Sequence, residues 1–399
     1  MKVIITCLTI SAFLFTGINQ MFSDDGSWED ISSNLPVTEW DIAAVYAMGD
    51  KLWVSSARNA EVYYSTNSGD SFVIQEVDTS LPAQVFSIAF KNDREGIAVG
   101  NSGNIYTTSN GGSEWEYYNS FSGRLYDVKY NPSDELYYAT GTRGRVLLIG
   151  GPSTIFMETG AGDTTLHSIS LTDNMGWICG NSVIRKLSEG IWADGGLYPQ
   201  AEYTGIDFVS DNTGWACARN GLVIKTGDGV NWSIENTPAI SGLNDIKFGN
   251  HKYGWACGDN GLIIHTNMAG SNWDLQESGT DENLTRLYFP SAALGYAVGD
   301  NGTLLRYTGI VGVDQLLAAK VELFPNPAAD RLNISMPESV LNKVIIRISD
   351  LQGNILIEKE NMAAKKTISI DISDLARGFY QCIITTNEGG FINKKLMIK

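Results

Sequence analysis

Gly254 to Trp273 reads GWACGDNGLIIHTNMAGSNW, and versions of this unit return about every forty residues, a period that belongs to propellers and solenoids. Within it, GWACG and GLIIHT are apolar segments separated by Asp259, Asn260 and Gly261, where Asn and Gly supply the positive φ of a tight hairpin turn. An alternating run, Leu243 to Phe248, precedes the unit, and a short segment around Trp273 ends it. Each repeat therefore reads as four short strands: an inner run, a Gly-aromatic strand, a third strand after the turn and an outer strand at the last aromatic. Repeated in tandem, four antiparallel strands make the blade of a β-propeller.

Aligned on itself, the unit gives seven copies: Trp53 to Phe72, Gly96 to Trp115, a weak third from Leu136 to Phe156, Gly176 to Trp192, Gly214 to Trp232, Gly254 to Trp273 and Gly295 to Tyr307. The inner runs Val85 to Phe90, Tyr126 to Tyr130, His167 to Leu171, Thr204 to Val209, Leu243 to Phe248 and Thr285 to Phe289 have a period of two, the half-buried strand pattern. The seventh copy stops at Tyr307-Thr308-Gly309 without an outer aromatic, while Trp28, in Gly26-Ser27-Trp28-Glu29-Asp30, is left over at the front. The N-terminal strand is expected to complete the last blade and close the ring through Trp28, hiding two open sheet edges. Residues 24–311 then form an all-β, seven-bladed propeller.

Ahead of it, Lys2 is followed by an apolar run from Val3 to Phe15 and then by small and polar residues. That run is shorter than the roughly twenty residues a spanning helix needs, and the pattern is that of a secretory signal peptide over residues 1–23, cut between Gly17 and Ser23. Cys7 falls inside the apolar core, too early for a lipid-modified first residue. No other run approaches membrane length, so no transmembrane segment is expected in the mature chain.

The formal charge of −17 is unevenly spread. Residues 24–320 hold 17 Lys plus Arg against 36 Asp plus Glu, a net of −19, and residues 321–399 hold 10 against 9. So acidic a ring disfavours nucleic acid and anionic membranes as partners. The 42 Gly of 399 residues exceed the usual share of about 7%, as turn-dense blades require.

Chemistry-bearing motifs are sparse. Cys179, Cys217 and Cys257 occupy one repeat position, GW-x-C, where other copies have Val99 and Val298; they read as small apolar core residues. His167, His251 and His265 fall at different repeat positions with no metal-ligand spacing, so neither a metal nor a cofactor is expected. There is no Gly-x-Ser-x-Gly elbow, Walker loop or dinucleotide fingerprint. What varies is the turn between second and third strands: Arg58, Asn101, Thr142, Asn181, Arg219, Asp259 and Asp300. Arg58, Asn101, Arg219, Asp259 and Asp300 are the candidates for a ligand face; an unconstrained solvent turn varies in the same way.

The units GWACG-DN-GLIIHT, GWACA-RN-GLVIKT and GIAVG-NS-GNIYTT resemble the repeats of the photosystem II assembly factor family and the related sialidase-type Asp-box, or BNR, repeats. The resemblance implies that Ser65-Thr66-Asn67-Ser68-Gly69 and Thr108-Ser109-Asn110-Gly111-Gly112 are structural turns between third and fourth strands, with Asn in the Asp position. The Arg-Ile-Pro signature of the sialidases is absent.

After a linker at 312–320, seven short β-patterned segments within residues 321–399 read as a small immunoglobulin-like β-sandwich. Its motifs Pro325-Asn326-Pro327, Asp350-Leu351-Gln352-Gly353, the stretch from Ile370 through Gly378 to Tyr380, and the ending Lys394-Lys395-Leu396-Met397-Ile398-Lys399 resemble the C-terminal sorting domain of the type IX secretion system. That resemblance implies passage through the periplasm and export across the outer membrane of a Bacteroidetes-type bacterium, to the medium or the outer cell surface, with the secretion machinery as partner. For the propeller two classes stay open: a non-catalytic binding, adhesion or structural module with a glycan or protein ligand, and a sialidase-like glycan-active hydrolase. The hydrolase needs two carboxyl groups facing each other across the central depression, for which only Asp259 and Asp300 stand at matching turns.

Overall fold

The computed structural model describes residues 26–37, 39–58, 61–77, 84–150, 153–159, 161–309, 321–336, 344–350, 355–361, 367–386 and 391–399. The expected signal peptide, the linker and Gly353 lie outside them. Among the described residues the chain is all β, interrupted by four 3-10 turns.

Residues 26–309 form seven four-stranded antiparallel sheets. Their first strands are Ile42–Met48, Val85–Phe90, Leu125–Asn131, Leu166–Leu171, Tyr203–Phe208, Leu243–Phe248 and Leu284–Ser291. Each first strand lies against the first strand of the next sheet, and Leu284–Ser291 lies against Ile42–Met48, so the row closes into a propeller ring. In the seventh sheet the outer strand is Ser27–Asp30, which pairs antiparallel with Leu304–Thr308 and sets Trp28 opposite Tyr307.

The half-buried reading of the inner runs needs correction. Val85–Phe90 and Leu243–Phe248 are buried almost throughout, and Gly254–Gly258 is buried at every residue. Neighbouring sheets cover both faces of each blade, so the alternation sorts residues between two packed faces rather than between core and water.

A repeated three-ring sandwich holds adjacent sheets together. Trp215, in the second strand of the fifth sheet, stacks on Phe248 of the sixth at 3.6 Å and 14° between planes, and Trp273 meets Phe248 edge-on at 6.0 Å and 88°. Trp177, Phe208 and Trp232 repeat this at 3.7 and 5.7 Å, as do Trp53, Phe90 and Trp115 at 4.2 and 5.8 Å. At the closure Trp255 stacks on Phe289 at 4.0 Å, and the edge-on ring is Trp28, at 5.9 Å and 90°. Trp28 thus fills the place that Trp115, Trp232 and Trp273 fill elsewhere. Offset stacks and T-shaped contacts are the favoured aromatic geometries, because the positive ring edge meets the negative face.

The glycine before Trp215 and Trp255 follows from the same packing. A Cβ at Gly254 would lie 2.4 Å from the Phe248 ring, and one at Gly214 2.5 Å from Phe208. In the third sheet Tyr137 stands in this place, opposite Tyr130, and in the first sheet Leu52 does, opposite Ala47.

The Asp-box turns hold themselves with local hydrogen bonds. The Gly69 amide donates to Ser65 Oγ at 2.9 Å and the Ser71 amide to Asn67 Oδ1 at 3.0 Å. The same bonds recur from Gly112 to Thr108 and from Glu114 to Asn110. A neutral Asn carbonyl does the work of the Asp carboxylate there, since both accept from backbone N–H.

Residues 321–399 form a three-stranded sheet, Glu322–Phe324, Arg331–Ser335 and Thr367–Asp371, and a four-stranded sheet in the order Ile355–Asn361, Val344–Ser349, Gly378–Thr386, Phe391–Ile398. One buried cluster joins them, with Leu332, Ile334 and Ile370 from the first and Ile346, Ile348, Cys382, Ile384 and Leu396 from the second.

Candidate functional site

Every inner strand of the ring carries a register shift after its first residue. A β-bulge leaves its extra residue unpaired and re-aims it. The seven bulged residues are Ala43, Phe86, Tyr126, His167, Thr204, Asn244 and Thr285, and all seven line one central depression of about 530 Å³. One arc of this tier is aromatic: Phe86 and Tyr126 stack at 5.8 Å and 19°, and His167 leans on Tyr126 at 5.7 Å. The other arc, Thr204, Asn244 and Thr285, is polar.

Of the five turn residues singled out from the sequence, Arg219, Asp259 and Asp300 border this depression, together with Asp41. Arg58 and Asn101 do not line it; Arg58 is exposed, and Asn101 accepts from the Gln84 amide through Oδ1 at 3.0 Å. Asn244 gathers the polar arc, accepting from Arg219 Nη1 at 2.6 Å and donating to Asp259 Oδ1 and the Leu284 carbonyl, both at 2.9 Å. Asn283 donates to Asp300 Oδ2 at 2.9 Å, and the Asn301 amide donates to Asp41 Oδ1 at 3.0 Å. Burial pushes the Asp300 carboxyl up, and nearby Asp41, Glu282 and Asp259 add to that against the Asn283 hydrogen bond. Burial pushes the His167 imidazole down against the Asn181 hydrogen bond, with Nε2 and Asn181 Oδ1 2.9 Å apart.

Arg286 also lines the depression, and its Nη2 crosses the ring to donate to the Tyr126 carbonyl at 3.1 Å. Next to it in the ring centre is a buried ion cluster, Asp127, Asp207 and Asp245 with Lys129 and Lys247. Burial opposes the charge on Asp127, but Lys129, Lys247, Arg286 and the Ile169 amide outweigh it and hold the carboxyl down at about 2. Asp207 receives the Phe248 amide at 2.8 Å, and burial pushes it up to about 6.

These shifts predict opposite pH responses. Asp207 binds a proton more tightly folded than unfolded, so its contribution is present below about pH 4 and is lost as pH rises through about 6. Asp127 contributes above about pH 4, and that is lost as pH falls toward 2. Asp207→Asn is expected to gain stability relative to the parent chain, on the order of 2 kcal/mol, between pH 4 and pH 7. Urea unfolding across that range checks it, and a constant offset would refute the assignment.

Sequence reasoning missed the bulged tier and Arg286, having looked to the turns. A signal was present: several alternating runs begin at the tier residue itself, Tyr126, His167, Thr204 and Thr285. That position carries six different side chains over the seven copies, with Thr at both 204 and 285.

In the C-terminal region the singled-out segments come together. Asn326 donates through Nδ2 to the Lys395 carbonyl at 2.8 Å and accepts from the Met397 amide at 2.9 Å. The Ala328 amide donates to the Met397 carbonyl at 2.8 Å, and the Ala328 carbonyl accepts from the Lys399 amide at 2.9 Å. Pro325 and Pro327 flank this Asn, whose amide covers the free edge of Phe391–Ile398. Lys395 Nζ lies 4.2 Å over the Phe379 ring; Gly378 opens that neighbouring strand, and Tyr380 donates to the Ala376 carbonyl at 2.7 Å. Lys394 is half-buried beside Lys395.

Residues 322–399 match the secretion system C-terminal sorting domain. The sorting domain directs the chain to export by that system, as a secreted or cell-surface propeller. Residues 206–308 match the photosynthesis system II assembly factor YCF48. Among solved structures, YCF48 from Cyanidioschyzon merolae aligns with a TM-score of 0.59 at 17% identity, over 71% of this chain and 99% of that one. YCF48 bound to D1 peptide aligns at 0.62 and 17%, over 73% and 98%. PorZ, a surface component of the type-IX secretion system of Porphyromonas gingivalis, aligns at 0.52 and 12%, over 91% of this chain and 60% of that one. At these identities the likeness is one of fold. None of the curated proteins matches the chain.

Proposed function

We propose that the chain is a non-catalytic binding module, a closed seven-bladed propeller that passes through the periplasm and is carried to the cell surface by the type IX machinery. Its C-terminal region is an immunoglobulin-like sandwich that serves as the export tag. The observation carrying the binding reading is the tier of bulged residues: seven re-aimed side chains of differing chemistry converge on one depression of about 530 Å³. Loops and bulges on a rigid scaffold are where recognition is placed.

The glycan-hydrolase alternative has less support. Asp259 and Asp300 stand on neighbouring sheets along one arc rather than across the depression, and each accepts from an Asn amide. Two arginines line the site, and Arg286 donates to a backbone carbonyl. A glycan array together with a fluorogenic glycoside panel on the full chain tests the assignment; turnover of any substrate reverses it. For delivery, removal of residues 320–399 is expected to leave the protein in the periplasm, and surface display at the level of the intact chain would end the export reading.

A further inference from the structure

Ala43 is the one tier residue with no side chain beyond Cβ, and it stands between Thr285 and Phe86. Phe86 has Tyr126 stacked on one face, and Ala43 is too short to cover the other. Phe86, Ala43, Ala57, Asp41 and Asp300 line the same depression, and the short side chains of Ala43 and Ala57 leave room there for a slot beside the half-buried Phe86 ring. Asp41, Asp259 and Asp300 each have one oxygen engaged by an amide, and no donor among the described residues reaches the second. The site lies on a ring of net charge −19 over residues 24–320.

We propose that the slot receives one cationic side chain, an arginine or lysine presented by a polypeptide partner, stacked on Phe86 and paired with Asp41 and Asp300. This rests on the binding-module reading above and narrows it to a ligand class. A guanidinium satisfies both walls at once: its plane stacks on an aromatic face, and its N–H fork matches the open carboxylate oxygens. Anionic ligands are repelled by the acidic ring, which also steers basic partners toward it.

The probe is acetyl-Gly-Arg-Gly-amide, titrated calorimetrically into the full chain at low ionic strength. Its uncharged citrulline counterpart and chitotriose are run beside it. The arginine peptide is expected to bind at least about tenfold more tightly than the citrulline peptide. Asp41→Asn with Asp300→Asn, which keeps the amide acceptors, should abolish that preference, and Ala43→Leu should block binding by filling the slot. Glu116→Gln, an exposed outer-strand carboxylate, should change nothing, and melting curves confirm that each variant is folded. Equal loss in Glu116→Gln, or no loss in the paired Asp variant, overturns the proposal by reducing it to general charge attraction. Binding of chitotriose without the arginine peptide also overturns it, yet leaves the binding-module reading standing.

Discussion

Replacing Trp255 with alanine is expected to cost about 3–5 kcal/mol of stability, the range for truncating a large aromatic in a packed core. Trp255 has no exposed surface, stacks on Phe289 at 4.0 Å and 11°, and lies 4.7 Å from His265 on another side. Its Nε1 donates to Gln276 Oε1 at 3.2 Å, the oxygen that also accepts from Trp28 Nε1 at 3.0 Å. The substitution therefore opens a void between the sixth and seventh sheets at the seam where the ring closes. For a ring of this size each kcal/mol corresponds to roughly 2–4 °C in Tm, so thermal and urea unfolding resolve the loss easily. Leu275→Ala, at a side chain 58% exposed on the adjacent outer strand, is the control and should fall within about 0.5 kcal/mol. Equal effects from the two would sink the account of sheet-to-sheet stacking.

Deleting residues 26–32 should be more damaging than any single substitution. The deletion strips the four-residue ladder between Ser27–Asp30 and Leu304–Thr308, and it removes Trp28 from its edge-on seat against Phe289. Arg306, whose guanidinium reaches Glu29 at 2.8 Å on one side and Asp70 of the first sheet at 2.6 Å on the other, loses one of its two carboxylates. Ser32, whose Oγ accepts from the Leu304 amide at 2.9 Å, goes as well. Leu304–Thr308 then becomes an unprotected edge, and such edges pair with other chains. Both a fall in Tm exceeding that of Trp255→Ala and a shift to larger species on size exclusion are expected. An unchanged melting curve and elution volume would mean that the N-terminal strand does not clasp the ring. Trp28→Ala alone should cost about 2 kcal/mol, because this indole keeps part of its surface in water.

Much of the architecture was legible because a repeat states its packing rules several times over. The Gly-aromatic step recurs as Gly176-Trp177, Gly214-Trp215 and Gly254-Trp255, and its cause is local: a bulky side chain from the adjacent inner strand, Leu171, Phe208 or Phe248, lies on the glycine. The odd Trp28 was readable by subtraction, since the last copy lacked an outer aromatic. The degree of burial was not readable. Alternation in sequence is the same whether the second face meets water or another blade, and only ring closure decides that.

The site was legible in part. Arg219, Asp259 and Asp300 could be placed at the turns from the repeat register, and the fold brings them to the depression. Asn101 shares that register yet lies outside the lining, while in the first sheet the equivalent position is Ala57, which lines the depression, and not Arg58. The tier from Ala43 to Thr285 escaped notice because a bulge is set by backbone pairing across strands, which a linear pattern does not encode.

By itself, then, the order of residues determined the repeat, its four-strand unit, the missing outer aromatic of the last copy and the sorting motifs of the tail, for each rests on neighbours within a few tens of positions. Tertiary structure alone decided which side chains share the centre. Arg286 meets the Tyr126 carbonyl across 160 positions of chain, and Lys247 offsets the charge of buried Asp127 and Asp207 from other sheets. Contacts of that kind exist only after seven sheets close on one axis, because closure brings equivalent positions from distant repeats into one small, water-poor space.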